Sequence, residues 1–140
     1  MSRVLGLDIG DRRIGIAVSD ESRIIASPHS VLERVGWGPD SKKIAALMQE
    51  TGAALIVSGL PLNMDGTAGF QAQKVLDFCN VLTKQGFQVV FQDERLSTVT
   101  AEDALIDGGV RREDRKHVVD KVAAAVILQT WLDAQTSNNG

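Results

Sequence analysis

The stretch that most constrains the chain is residues 3–20, RVLGLDIGDRRIGIAVSD, in which two Val- and Ile-rich runs, 3–9 and 12–19, flank the tripeptide GDR. β-Branched residues favour pleated strand, and Gly10 with Asp11 supply turn chemistry, so the pattern predicts an antiparallel hairpin. The first run carries a carboxylate, Asp8, between Leu7 and Ile9. Taking such a group out of water without a partner costs on the order of several kcal/mol. Asp8 therefore either accepts backbone N–H bonds from the turn that follows, the common role of a lone Asp there, or answers to a cation.

Composition narrows the rest. At 140 residues, 44% of them apolar, the chain suits a single core, and one domain over 1–135 is expected with a disordered tail at 136–140. A lone cysteine, Cys79, sits among apolar neighbours in VLDFCNVL, which fits a core residue in a reducing compartment. Asp8 interrupts the only apolar N-terminal run, and VAAAVIL (122–128) is far too short to cross a bilayer, so a cytoplasmic protein without membrane contact is expected. A net charge of −3 argues against holding nucleic acid by bulk electrostatics. Any phosphate partner must be gripped locally or through metal ions.

After the hairpin, SRIIASPHSVL (22–32) reads as a third extended segment, irregular or at an edge because of Pro28. DSKKIAALMQETG from Asp40 is an amphipathic helix stopping at Gly52. The unbroken apolar run AALIVSGL (53–60) predicts a strand buried on both faces of a parallel sheet. A helix over 69–85, a strand at FQVVFQDE (87–94), a short helix over 98–107 capped by Ser97 or Thr98, and a last helix over 115–134 complete the order. Three antiparallel strands followed by alternating helices and strands give an α/β fold: a mixed five-stranded sheet with helices on both faces.

In such sheets ligands gather at the carboxyl ends of the parallel strands. Asp8 ends the first strand and Glu94 the strand 87–94; if those strands are near neighbours, both carboxylates reach one edge. Asp120 lies near the start of a helix whose small residues Ala123, Ala124 and Ala125 let it approach the sheet, and a place within the first turn or so would favour its charge. Three converging carboxylates suit Mg²⁺ or Mn²⁺, and two such ions can clamp an in-line phosphoryl displacement. Taken singly, each has a plainer reading: a turn Asp at 8, half of an ion pair with Arg95 at 94, and dipole decoration beside Lys121 at 120.

LDIGDRRIGIAVSD, VSGLPLNMDGTAG, DERLST and HVVDKVAAAVILQTWL together resemble the four blocks of the YqgF/RuvX family, in order and spacing, over Arg3 to Leu132. Members are RNase H-like and are described as Holliday junction resolvases and as pre-16S rRNA processing nucleases. The resemblance implies an RNase H-like sheet and an acidic triad of Asp8, Glu94 and Asp120. Asp8 with Glu94 would hold one divalent ion and Asp8 with Asp120 a second. It also points to His117, one helical turn before Asp120, as an auxiliary group; a solvated histidine at a helix start is an equal reading.

Arg12, Arg13, Arg95 and Lys121 are candidate phosphate contacts, while Arg111, Arg112, Arg115 and Lys116 are diluted by Glu113 and Asp114 and read as a solvated face. GLPLNMDGTAG (59–69) either offers backbone N–H groups to a phosphate or is a turn that needs Gly and Asn for its geometry. Trp37, in a Gly-flanked loop, suits base stacking or a loop anchor.

The expected function is a Mg²⁺- or Mn²⁺-dependent endonuclease, monomeric or homodimeric, acting on pre-16S rRNA or branched DNA such as Holliday junctions. Two other readings stand beside it. One is a nucleic-acid-binding assembly or recombination factor with little catalysis. The other is a nucleotide-binding domain of the actin and sugar-kinase type, whose phosphate-binding hairpin GLDIGDRRIGIAV also resembles.

Overall fold

The computed structural model describes residues 2–63, 65–93 and 112–139, with side chains in the last helix from 120 to 135. Five strands, β1 (Arg3–Ile9), β2 (Arg13–Ser19), β3 (Ala26–Glu33), β4 (Ala53–Leu60) and β5 (Val89–Asp93), form one sheet in the order β3-β2-β1-β4-β5. β2 runs antiparallel to β1 and β3, whereas β1, β4 and β5 are parallel. The three-strand meander and its parallel continuation are those expected from sequence, and β4 does separate β1 from β5.

Period-two alternation divides the strand residues between two cores. Leu5, Leu7, Ile9, Ile14, Ile16 and Ile56 face helices α1 (Trp37–Thr51) and α2 (Phe70–Lys84), which contribute Ile44, Met48, Val75, Phe78, Cys79 and Leu82. Burial pushes the Cys79 thiol up to about 11, so it packs without reacting at neutral pH. On the opposite face, Val4, Ala17, Leu55 and Val57 meet Ala124, Ala125, Ile127, Leu128 and Leu132 of α3 (Arg112–Asn139).

Several boundaries move for local reasons. The third extended segment starts at Ala26 rather than 22, because the Asp20 carboxylate accepts the amides of Ile24 at 2.7 Å and Ile25 at 3.2 Å, folding 20–25 into a turn with Arg23 at φ 58°. Pro28 pairs with Ala17 beside a register shift on the edge strand, as its missing N–H requires. Trp37 opens α1 instead of lying in a loop; Pro39 falls in that helix's first turn, where its lack of a donor is tolerated. The short helix expected over 98–107 lies outside the described residues. Helical backbone continues to Asn139, through the stretch read as a tail.

A buried ion pair ties the entrance of α1 to the β1–β2 turn. Asp40, fully buried, accepts from Arg34 Nε at 3.3 Å and from the Val35 amide at 3.0 Å. Arg34 in turn donates through Nη1 to the Gly10 carbonyl at 2.9 Å and lies 5.0 Å from the Phe78 ring centroid.

α3 lies unusually low on the sheet, because glycines stand beneath it. A Cβ on Gly6 would come 2.8 Å from Leu128 Cβ, and one on Gly15 would fall 1.8 Å from the Asp120 carbonyl oxygen. Asp120, Ala124 and Leu128 are spaced at i, i+4 and i+8 and form one stripe of the helix. We expect Gly15→Ala to lower stability in urea denaturation by about 2–3 kcal/mol, since the helix must rise off the sheet to admit the methyl group. An unchanged midpoint would mean that α3 does not rest on β2 at this position.

Candidate active site

Asp8 is the sixth residue of β1 and lies between two residues of the α1/α2 core, so its side chain emerges on the α3 face. Its register partner on β2 is Gly15. On the other side, Leu7 pairs with Ser58, and the next residue of β4 is Gly59, which pairs with Gln92 of β5. Asp8 is therefore flanked along the sheet by residues without side chains, leaving room above it.

That room is taken by α3. The Asp120 backbone sits directly over Gly15, and directly opposed residues of an antiparallel pair have Cα atoms only about 4.5–5.5 Å apart. The close approach thus seats the Asp120 backbone over the β2 residue that pairs with Asp8. Asp120 owes nothing to the helix dipole, contrary to expectation. α3 starts at Arg112, about two turns earlier, and the dipole's influence is confined to the first turn. Its charge is met instead by Arg13, whose Nε donates to Asp120 Oδ2 at 2.8 Å, with the two side chains 25% and 26% exposed.

Glu94 lies outside the described residues. β5, which it follows, ends at Asp93 opposite Leu60, on the same carboxyl-terminal edge as Asp8. Arg95 and the His117 side chain also lie outside the described residues. Of the other expected phosphate contacts, Arg12 is exposed in the β1–β2 turn and Lys121 is half-buried next to Asp120.

The turn itself is held from two sides. Gly10 N–H bonds the Arg13 carbonyl at 2.9 Å, and Asp11 accepts from Lys74 Nζ at 3.2 Å at the start of α2. The Lys74 ammonium, with help from Gln71, keeps the Asp11 carboxyl below its ordinary range. In the 59–69 loop three amides are engaged in the turn itself. The Asn63 and Gly66 amides bond the Thr67 and Asn63 carbonyls, the Thr67 amide bonds Asp65 Oδ1, and Gly66 adopts φ 88°. Those amides are therefore already committed.

Among the described residues no three His, Cys, Asp or Glu side chains converge as a metal cage. Asp8, at the sheet edge, and Asp120, on the helix seated over Gly15, offer hard carboxylate oxygens. They fit Mg²⁺ or Mn²⁺, which are held by one or two carboxylates together with water and phosphate oxygens, rather than a soft metal. The residues that sequence reasoning missed here are Gly6 and Gly15. Their role has a sequence cue, glycine inside a strand marking close backbone approach, that the hairpin reading passed over.

A family model described as "RuvX: Holliday junction resolvase" matches residues 2–134. A protein of Clostridioides difficile (strain 630) named "Putative pre-16S rRNA nuclease" is 46% identical over 132 residues, covering 94% of each chain. One of the same name from Clostridium tetani is 45% identical over 133 residues, covering 94% of this chain and 96% of that one. Among solved structures, Thermus thermophilus RuvC in complex with a Holliday junction substrate superposes with a TM-score of 0.61 at 14% identity, over 98% of this chain and 97% of that one. A Fowlpox virus resolvase with Holliday junction DNA gives 0.56 at 12% identity, over 95% and 98%. At such identities the structural likeness speaks for the fold, and the fold is the RNase H-like one expected.

Exchange of Lys74 for Met is expected to raise the Asp11 titration midpoint toward the ordinary carboxylate value in a side-chain NMR titration. The sign follows from removing the cation that stabilises the ionised form. A midpoint that stays put would show that the two side chains do not pair in solution.

Proposed function

The chain belongs to the RuvX family, and from that premise we propose that it is a divalent-metal-dependent endonuclease that hydrolyses phosphodiester bonds in structured nucleic acid. The observation that carries this reading is the seating of the Asp120 backbone over Gly15, the register partner of Asp8, which supports a site shared by the two carboxylates. Glu94, which follows β5 in sequence, is assigned as the third acid because the family resemblance implies it.

In this reading Asp8 and Asp120 hold the ion, Mg²⁺ or Mn²⁺, with Glu94 completing the set. A divalent ion there would lower the pKa of a bound water and offset charge developing on the phosphate. Arg12 in the turn, Arg13, Arg95 and Lys121 contact the nucleic acid backbone, giving the local grip that an overall charge of −3 denies to the surface at large. His117 is retained only as an auxiliary group.

The names of the relatives favour pre-16S rRNA as substrate. The family description favours a branched DNA junction, which would call for two active sites and hence a homodimer. Purified protein given a precursor 16S rRNA end and a four-way DNA junction, each with Mg²⁺, Mn²⁺ or EDTA, separates the two. Asp8→Asn and Asp120→Asn are each expected to slow metal-dependent cleavage by about 100-fold or more, while leaving the fold intact by circular dichroism. Wild-type binding without cleavage of either substrate would instead identify an assembly or recombination factor. Cleavage that persists in Asp8→Asn would remove the acidic site from the chemistry.

A further inference from the structure

Two ion pairs in this molecule look alike on paper and differ in kind. Arg34–Asp40 is enclosed, with the carboxylate fully buried and backbone amides completing its shell. Arg13–Asp120 is about a quarter exposed on both sides. A pair so placed is partly screened by water and exchanges partners at little cost.

Its position is the telling feature. Arg13 opens β2, its backbone pinned by the Gly10 amide, and the alternation that puts Ile14 in the α1/α2 core turns Arg13 toward α3 with Gly15. Its guanidinium thus occupies a carboxylate of the very group that the nuclease reading assigns to a metal ion. A cation on Asp120 and a divalent ion on the same carboxylate oppose each other, both by competition for the oxygen and by repulsion between like charges.

We propose that Arg13 is an exchangeable counter-cation. Without metal it neutralises Asp120 and keeps the acidic edge from repelling itself; when a divalent ion takes the carboxylate, the displaced guanidinium is free to bind a nucleic acid phosphate. Arginine suits the second task as well as the first, since carboxylate and phosphate present the same planar pair of acceptors to its N–H groups. The exchange makes nucleic acid affinity depend on metal loading in a chain whose overall charge gives phosphate no general welcome. This rests on the metal-dependent nuclease reading and adds to it an order of events at one residue.

Mn²⁺ binding to the free protein, followed by titration calorimetry, tests the first half without any cleavage. Arg13→Gln is expected to bind Mn²⁺ about three- to tenfold more tightly than wild type, Arg13→Lys to stay near wild type, and Asp120→Asn to lose at least about tenfold. If Asp120→Asn weakens binding while Arg13→Gln leaves it unchanged or weaker, Arg13 does not compete and the proposal is overturned. If Asp120→Asn leaves Mn²⁺ binding untouched, it is the metal site itself that fails.

The second half is read from the salt dependence of binding to a labelled four-way DNA junction, with Ca²⁺ or with EDTA. The wild-type slope of log K against log salt should steepen by about one with Ca²⁺, and Arg13→Gln should lack that increment. Equal wild-type slopes in the two conditions, or an increment that survives in Arg13→Gln, would also overturn it.

Discussion

The closeness of α3 to the sheet governs most of what this molecule can do. A helix normally rests on a strand through the side chains of both, at a separation set by their bulk. Here β1 and β2 offer glycine at 6 and 15, and the helix presents Asp120, Ala124 and Leu128 along one stripe, so helix backbone meets strand backbone with little between. The gain in packing is ordinary. The consequence is positional, because the helix seats the Asp120 backbone over Gly15, the residue paired with Asp8.

Electrostatics explains why that arrangement survives without coming apart. Two neighbouring carboxylates in partial contact with water repel, and one elementary charge nearby is enough to reverse the balance. Arg13 supplies it from the same strand that carries Gly15. The fully buried carboxylate, Asp40, is treated differently: it is caged by Arg34 and by the amides at the α1 entrance, and Arg34 extends the tie to the turn following Asp8. One pair fixes the scaffold around the edge; the other stands at the edge itself, where exchange is possible.

Much of this was legible in the residues and some was not. The apolar run 53–60 coincides with β4, and the hairpin 3–19 was readable because β-branched alternation and GDR turn chemistry agree. The close approach of the last helix to the sheet is legible in its small residues; the glycines that complete the fit lie on the sheet, and a sequence pattern cannot say which residue stands opposite which until register is known. The start of α3 was misplaced because Arg112 to Lys116 read as a charged surface stretch, so a helix dipole was credited with what Arg13 does. The turn at 20–25 was missed for a similar reason. Ile24 and Ile25 look like strand residues, and only the capture of their amides by Asp20 shows otherwise.

The placement of Asp8 carries the final point. Asp8 stands one residue from the end of a central strand, partly buried, where the pleat turns its side chain to the α3 face. Its neighbours along the sheet are Gly15 on β2 and, next to Ser58, Gly59 on β4. On the α3 face above them, Arg13 pairs with Asp120. A strand carboxylate and a helix carboxylate at such an edge supply the hard oxygen donors that suit a divalent ion together with a phosphate. Packing accounts for glycine at 6 and 15, which lets α3 settle on the sheet, whereas stability alone would favour an apolar side chain at 8; the carboxylate is the residue left to chemistry.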